Sequence, residues 1–302
     1  MAMSSAERLT ARAVEVCWRQ WTSLGVAGVQ SQQCAAIIDP EALIVFTAGL
    51  GDADPRLRDE STDWCVRYGH RLVSTSRLRN LIKREPEPHR FDDYLATVNA
   101  HSSSRWPTSD DTKSRDLTVS GKSDLPAPRK RSQLVRLQLR AMFGVTARAE
   151  VLMIFLASRP SPEPWFAASD LEVTGYSKRN IAFVLEDLAL CELLTARRMG
   201  NQLRYRLAER AHLGKLAPAA ANAMFEKWHL RFHVFARIMT LHRRHTGASR
   251  AVLSVEARKL IRETSRVLAE LDISAPVPDE PDDYADAIAE WALDRLLPSS
   301  LL

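Results

Sequence analysis

The chain has 302 residues, of which 45% are hydrophobic and 26% are charged, a balance that is ordinary for a globular protein in water. No stretch approaches eighteen consecutive apolar residues, so the sequence predicts no membrane span. The first residues lack the apolar region of a signal peptide, so we expect a cytoplasmic protein with no membrane partner. The four cysteines are too widely spaced to form a close zinc-binding or redox pair.

The net charge of +5 is unevenly distributed along the chain. Residues 211–271 contain 11 basic and 4 acidic side chains, whereas residues 272–302 contain 1 basic and 8 acidic ones. A basic central part followed by an acidic tail indicates either a polyanionic partner or a tail that docks on the chain's own body. Charge alone does not distinguish the two.

Residues 1–100 are predicted to form a small helical domain. Apolar residues at three- and four-residue steps predict a first helix from about Ala6 to Leu24. An Asp-Pro pair, at Asp39 and again at Asp54, predicts the start of each of the next two helices. Aspartate accepts hydrogen bonds from free helix amides, and proline suits the first helical turn.

A polar segment over residues 101–128 separates this domain from the rest. It is rich in serine, and Pro126 and Pro128 interrupt any helix, so we predict a flexible linker. A basic run at residues 129–131 follows and leads into an amphipathic stretch.

The most specific pattern lies in residues 146–208. A helix that begins at Thr146 is followed by a short helix over 167–173, a tight turn, and another helix that Ser177 caps. Two alternating runs then flank Gly200-Asn201, a pair that is typical of a two-residue hairpin turn.

This order of helix, helix, turn, helix and hairpin resembles the winged helix-turn-helix DNA-binding domains of bacterial transcriptional regulators of the MarR, ArsR and GntR type. The resemblance covers residues 146–208 only, and its most specific parts are the Thr-Gly-Tyr-Ser-Lys-Arg-Asn run at 174–180 and the basic hairpin. It implies that the helix after the turn is a recognition helix and that the hairpin is a wing beside it.

A recognition helix presents its first residues to base edges in the major groove. The candidate DNA-binding residues on this helix are Ser177, Lys178, Arg179 and Asn180. Arginine pairs with guanine and asparagine with adenine, while lysine and serine bind phosphate. The hairpin adds four candidate contacts to the DNA backbone: Arg197, Arg198, Arg204 and Arg206.

Residues 211–302 are predicted to form a C-terminal helical region with an acidic tail. One helix carries an apolar stripe at helical spacing, formed by Phe225, Trp228, Phe232, Phe235 and Met239. Bacterial operators are usually near-palindromic and mirror a two-fold protein. We therefore expect a homodimer, and the stripe is the candidate dimerisation surface.

The sequence thus predicts a mainly α-helical chain with a helical domain, a linker, a winged helix-turn-helix domain over 129–210 and a C-terminal helical region. The predicted function is that of a sequence-specific regulator of transcription, a repressor, which binds double-stranded DNA and has no cofactor and no catalytic site. The alternative is a protein-interaction or antitoxin-like subunit, in which Phe183 on the recognition helix docks a protein partner.

Two further groups of residues raise other hypotheses. His229 and His233 lie four residues apart on one predicted helix, but no carboxylate stands at a supporting step, so we expect no metal site. Asp52 and Asp54 form an acidic pair of the kind that holds magnesium, which leaves a nucleotide-handling enzyme as a third hypothesis. The cap that Asp54 provides before Pro55 explains it equally well.

Overall fold

The computed structural model describes most of the chain, namely residues 3–28, 34–109, 111–158, 164–277 and 283–301. These residues are mainly helical, with one small antiparallel sheet, which confirms the predicted mainly α class. Within them, no helix is both long enough and apolar enough to cross a lipid bilayer. Residues 278–282 of the predicted acidic tail lie outside the described residues.

The described N-terminal residues form helices whose starts the sequence predicts well. Their bounds are α1 (Ser5–Ser23), α2 (Pro40–Leu50), α3 (Pro55–Leu72), α4 (Thr75–Ile82) and α5 (Asp92–His101). The side chain of Asp39 accepts a hydrogen bond from the amide of Ala42 at 3.2 Å, and that of Asp54 accepts one from Leu57 at 2.9 Å. Both Asp-Pro pairs therefore cap helices, as expected.

The described part of the segment between residues 102 and 127 forms no helix or strand and lies against α3. Trp106 is buried, and a Cβ added at Gly69 would lie 2.8 Å from its ring. The guanidinium of Arg67 donates a hydrogen bond to the carbonyl of Gly121 at 3.0 Å. The predicted linker is thus packed on the N-terminal helices at several points along its length.

The middle of the chain forms a second unit around its own apolar core. Its elements are α6 (Val135–Phe143), α7 (Ala147–Ala157), β1 (Phe166–Ala167), a 3-10 helix (Ala168–Thr174), α8 (Lys178–Leu190), β2 (Leu194–Met199), β3 (Gln202–Leu207) and α9 (Arg210–Leu216). The strands are antiparallel in the order β1-β3-β2. The hairpin turn at Gly200-Asn201 lies where the sequence predicts it.

One predicted element of this unit is present in a different form. The short helix expected over 167–173 is a 3-10 helix over 168–174, and the extended pair β1 directly precedes it. Phe166 and Ala167 are extended because they pair with Tyr205 and Arg204 on β3. Propensity within the segment does not reveal this pairing, since the partner strand lies almost forty residues further along the chain.

The C-terminal helices pack against the N-terminal ones. They are α10 (Trp228–Arg244), α11 (Arg250–Leu271) and α12 (Tyr284–Trp291). They share one apolar core with α1 to α5, and the rings of Phe46 on α2 and Phe232 on α10 stack with their centroids 4.2 Å apart. The cores therefore do not follow the predicted domain boundaries, because α10 to α12 join the N-terminal helices while α9 joins the middle unit.

The part of the aromatic stripe that lies on α10 belongs to this core, whereas Phe225 packs against the core of the middle unit. Trp228, Phe232, Phe235 and Met239 are each at most 3% exposed, and Phe225 precedes the helix and is half-buried. A residue that is buried inside its own chain offers no surface to a second copy. The predicted dimerisation role of these side chains is thus corrected to an intramolecular packing role.

Helix α6 lies between the two cores and contributes to both. Leu137 packs in the core of the N- and C-terminal helices, while Val135 and Leu139 pack in the core of the middle unit. The middle unit is therefore joined to the rest of the chain through a helix that is buried on two sides.

Candidate nucleic-acid interface

The start of α8 is held by a tight turn. Gly175 has a φ of +85°, and a Cβ at this position would lie 3.1 Å from the Nε atom of Arg77. Ser177 then caps the helix, because its hydroxyl accepts a hydrogen bond from the amide of Asn180 at 3.3 Å. Both features match the sequence-based prediction, and together they fix where the first turn of α8 begins.

The four candidate residues at this helix start are all exposed: Ser177, Lys178, Arg179 and Asn180. The guanidinium of Arg179 lies 5.7 Å from the centroid of the Phe183 ring, one turn further along. The side chains of Lys178 and Asn180 have no hydrogen bond or ion pair to any described residue. Free amides at a helix start and unpaired polar side chains form a surface that suits an anionic ligand.

The hairpin presents its arginines on two faces. Side chains alternate along a strand, and Arg197 pairs directly with Arg204 across the ladder. Arg197, Arg204 and Arg206 therefore share the face opposite the buried Tyr205, whereas Arg198 lies on the other face. The structure thus separates one of the four predicted wing arginines from the other three.

These arginines differ in the contacts that they already make within the protein. Arg204 donates a hydrogen bond to the carbonyl of Trp165 at 3.2 Å and lies 3.4 Å from a carboxylate oxygen of Asp170. The guanidinium of Arg206 stacks on the Trp165 ring at 4.7 Å. Arg197 and Arg198 are exposed and have no partner among the described residues. Only the last two are fully available for a phosphate.

A buried group of six charged side chains, which we call the ion network, lies behind this surface. Its members are each at most 3% exposed: Asp39, Glu41, Arg77, Arg136, Arg140 and Glu150. The three positive and three negative charges balance. The network spans the junction of the two cores, since Asp39 and Glu41 begin α2, while Arg140 and Glu150 belong to α6 and α7.

The contacts in the ion network are direct. Arg140 donates to Glu41 at 2.6 Å and to Glu150 at 2.8 Å, so it bridges the two units. Arg77 is paired with both Asp39 and Glu41, the latter at 2.6 Å. Burying a charge is costly unless it is paired and hydrogen-bonded, so separating the two units would leave Glu41, Arg140 or Glu150 without a partner.

The ion network also reaches the turn before α8. The Nε atom of Arg77 donates a hydrogen bond to the carbonyl of Thr174 at 3.0 Å. Thr174 directly precedes Gly175, whose missing side chain leaves room for the same arginine. The orientation of α8 relative to the N-terminal helices is therefore set by a buried, doubly paired arginine.

The electrostatics of the ion network follow from this pairing. Burial opposes ionisation of Asp39, but the charges of Arg136 and Arg77 outweigh it and hold the pKa of Asp39 well below its usual value. Burial likewise opposes the charge of Glu41, and Arg140 together with Arg77 lowers its pKa. Asp39 and Glu41 thus stay ionised at neutral pH.

Sequence reasoning did not identify the ion network. It assigned Asp39 to helix capping, and it treated Arg136 and Arg140 as part of a basic, amphipathic stretch. Apolar and polar residues alternate from Val135 to Arg140, and this spacing does not reveal that the helix is buried.

Among the other candidate residues, His233 and Asp52 have intramolecular partners. The Nδ1 atom of His233 lies 2.8 Å from a carboxylate oxygen of Glu85, and burial together with the charge of Arg77 lowers the pKa of His229 to about 3. The groups of histidine, cysteine and acidic side chains among the described residues include none that is arranged to hold a metal ion. Asp52 pairs with Arg58 at 3.2 Å.

Comparison of the chain with protein-family models, with curated proteins and with solved structures finds no match.

Proposed function

We propose that this chain is a sequence-specific, double-stranded DNA-binding regulator of transcription, a repressor, in which residues 146–208 act as a winged helix. The observation that carries the proposal is the exposed, capped start of α8, where Lys178, Arg179 and Asn180 are paired with no carboxylate of the described residues. A helix start of this composition is suited to the major groove.

The arrangement of the middle unit supports the same proposal. A helix, a short strand, a 3-10 helix, the candidate recognition helix and a hairpin follow one another, and the short strand pairs with the second strand of the hairpin. This order agrees with a winged helix in which α8 enters the major groove and the hairpin lies along the DNA backbone.

Each candidate residue has a role that its chemistry suits. Arg179 would pair with guanine and Asn180 with adenine, while Lys178 and the hydroxyl of Ser177 would hold phosphates. On the hairpin, Arg197 and Arg198 would neutralise further phosphates, because neither is engaged within the described part of the chain.

Selection of bound duplexes from a random library tests this proposal. We expect the full chain to enrich one sequence, and the Arg179→Gln variant to bind that sequence more weakly by about 1–3 kcal/mol and to lose preference at one base pair. Arg71→Gln, which changes an exposed arginine on α3, is the matched control and should leave both properties unchanged. Enrichment of no sequence would contradict the proposal.

A second function, docking of a protein partner, has one specific observation in its favour. Phe183 is 55% exposed and Leu190 is 85% exposed, and both lie on α8. The Phe183→Ser variant separates the two proposals: DNA binding by the helix start should survive it, whereas docking through α8 should be lost.

A homodimer remains part of the proposal, since a two-fold protein suits a near-palindromic operator. The aromatic stripe of α10 is buried in the chain's own core, so another surface would have to form the interface. Sedimentation of the full chain with and without the selected duplex measures the stoichiometry.

A further inference from the structure

Helix α4 and the two residues that follow it present an exposed surface without an acidic side chain. Residues 75–84 contain four basic side chains and no acidic one. Of the four, Arg77 is buried in the ion network and the other three are exposed. The exposed residues of this segment form a surface that we call the α4 face: Ser76, Arg79, Asn80, Lys83 and Arg84.

The charges of the α4 face are not used within the described part of the protein. Its four longer side chains form no ion pair or hydrogen bond with any described residue. Arg79 and Lys83 are four residues apart, so they are neighbours on the helix surface, where like charges repel each other. Stabilisation of the helix therefore does not explain why two cations stand side by side here.

The α4 face adjoins the start of α8. The Nε atom of Arg77 donates a hydrogen bond to the carbonyl of Thr174, so this side of α4 contacts the turn before α8. Asn80 and Arg84 follow Arg77 by three and seven residues and lie on the same side of the helix. They line one wall of a cleft whose opposite wall includes Ser177, the cap of α8. The cleft alone separates the α4 face from the start of α8.

Carboxylates line the cleft between these two surfaces. Glu85 and Glu270 belong to the wall of the N- and C-terminal helices, and Asp170 and Glu172 belong to the wall of the middle unit. Negative charges at these positions repel a phosphate inside the cleft. A polyanion that contacts both surfaces would therefore cross the mouth of the cleft and bind at its two rims.

The composition of the α4 face favours nucleic acid over a protein partner. Its exposed side chains are basic, amide or hydroxyl groups, and none is apolar. Protein interfaces have an apolar or aromatic centre, whereas DNA interfaces are more polar and much more positively charged. Arginine, lysine, asparagine and serine are also side chains that contact phosphate. The α4 face therefore suits a phosphate backbone.

We propose that the α4 face binds the phosphate backbone of the DNA that flanks the base pairs read by α8. This inference rests on the proposed DNA-binding function and extends its interface from the middle unit to the N-terminal helices. Contacts to phosphate position a protein on the duplex and carry no sequence information directly. The α4 face thus adds affinity, while the preference among bases stays with α8. Because Arg77 joins α4 to the turn before α8, the flanking contact lies at a fixed spacing from the bases that are read.

Hydroxyl-radical footprinting of the full chain locates this contact. The probe is the selected duplex, lengthened at each end by about one helical turn of 10 base pairs. We expect the wild type to protect the selected base pairs and a separate group of sugars in the flanking DNA. The double variant Arg79→Gln/Lys83→Gln should lose the flanking protection and keep the protection of the selected base pairs.

Salt titrations by fluorescence anisotropy count the phosphates that the α4 face neutralises. Each phosphate contributes about 0.9 to the slope of log affinity against log salt, so the double variant should reduce the slope on the lengthened duplex by about 1.8. The selected duplex without added DNA lacks the flanking phosphates, so there the double variant and the wild type should have equal slopes. The base preference should remain that of the wild type, which distinguishes this role from that of Arg179.

The matched control is Arg71→Gln/Lys122→Gln, which changes an exposed arginine and an exposed lysine outside the α4 face. It should leave the footprint and both slopes unchanged. Melting without DNA checks that each variant is folded.

The outcomes separate this inference from the proposed function. If the wild type protects the selected base pairs alone, or if the double variant keeps the wild-type slope on the lengthened duplex, the α4 contact is refuted and the winged-helix proposal stands. A changed base preference in the folded double variant would contradict the role of the α4 face as a phosphate contact. A wild type that binds no duplex would refute the proposed function itself, and the flanking contact with it.

Discussion

Glu192, two residues beyond the end of α8, adopts a left-handed backbone with a φ of +58°. Its amide donates to the carbonyl of Ala189, and the next amide donates to Leu188, both at 3.0 Å, so the helix ends in a turn that usually carries glycine. This backbone costs a residue with a side chain about 1–2 kcal/mol. We expect Glu192→Gly to stabilise the protein by about 0.5–1 kcal/mol in urea unfolding.

Glu186→Gly is the matched control for that change, since Glu186 is exposed in the interior of the same helix. It should destabilise the protein by about 1 kcal/mol. A loss of stability in Glu192→Gly would mean that the left-handed turn at the end of α8 is not formed.

His229 gives a second residue-scale prediction, because burial and the charge of Arg77 lower its pKa from 6.5 to about 3. The unfolded chain then binds more protons than the folded one between these values, so the free energy of unfolding falls as the pH falls below 6.5. We expect a loss of about 1 kcal/mol by pH 5.5 from this group. His242, whose pKa burial also lowers, acts in the same direction.

His229→Gln should remove its share of this loss in urea titrations at pH 7.5 and pH 5.5. Asp39 and Glu41 of the ion network do not contribute in that window, because their pKa values are held below their ordinary values of 3.8 and 4.5. Their stabilising effect is present above these ordinary values and is lost only at lower pH. Equal pH dependence in the variant and the wild type would contradict the assignment to His229.

At the scale of elements, the hairpin places two arginines directly opposite each other, Arg197 and Arg204. Like charges in this position repel, and a phosphate between them would offset the repulsion. Arg197 is free, whereas Arg204 is already bound to the carbonyl of Trp165 and lies near Asp170. We expect Arg197→Gln to reduce the slope of log affinity against log salt by about one for DNA, and Arg204→Gln to reduce it less.

Fluorescence anisotropy with the selected duplex at several salt concentrations measures both slopes. Equal slopes in wild type and Arg197→Gln would exclude this face of the hairpin from the DNA interface.

The ion network joins two units. Its contribution to the free energy of unfolding can be compared with that of an exposed ion pair. Arg140→Met would leave Glu41 and Glu150 buried with too little positive charge, and we expect a loss of about 3–5 kcal/mol. Arg148→Met removes an exposed pair with Asp187, whose side chains are 45% and 59% exposed, and should cost less than about 1 kcal/mol. Urea unfolding measures both, and equal effects would contradict the role given to the ion network.

At the scale of the whole molecule, the sequence predicts those structural features that depend on residues close together in the chain. Asp39, Asp54 and Ser177 cap helices because a side chain three residues before an amide reaches it. The hairpin turn at Gly200-Asn201 and the left-handed Gly175 are local for the same reason. The exposed start of α8 could therefore be placed from the sequence alone.

Features that depend on distant residues could not be placed in this way. The stripe that includes Phe232 and Phe235 has the same spacing whether it faces a second copy or its own chain, and here it packs on Phe46. The contact between Arg140 and Glu41 joins residues 99 positions apart. No local pattern distinguishes such a buried arginine from one on a basic surface.

The most direct test of the central claim is the salt dependence of binding to the selected duplex. If Lys178, Arg197 and Arg198 each neutralise one phosphate, log affinity should fall linearly with log salt with a slope of about −2.7. Lys178→Gln should reduce the magnitude of that slope by about one, while Arg71→Gln leaves it unchanged. A wild-type affinity that is independent of salt, or the absence of binding to any duplex, would contradict DNA binding by this surface.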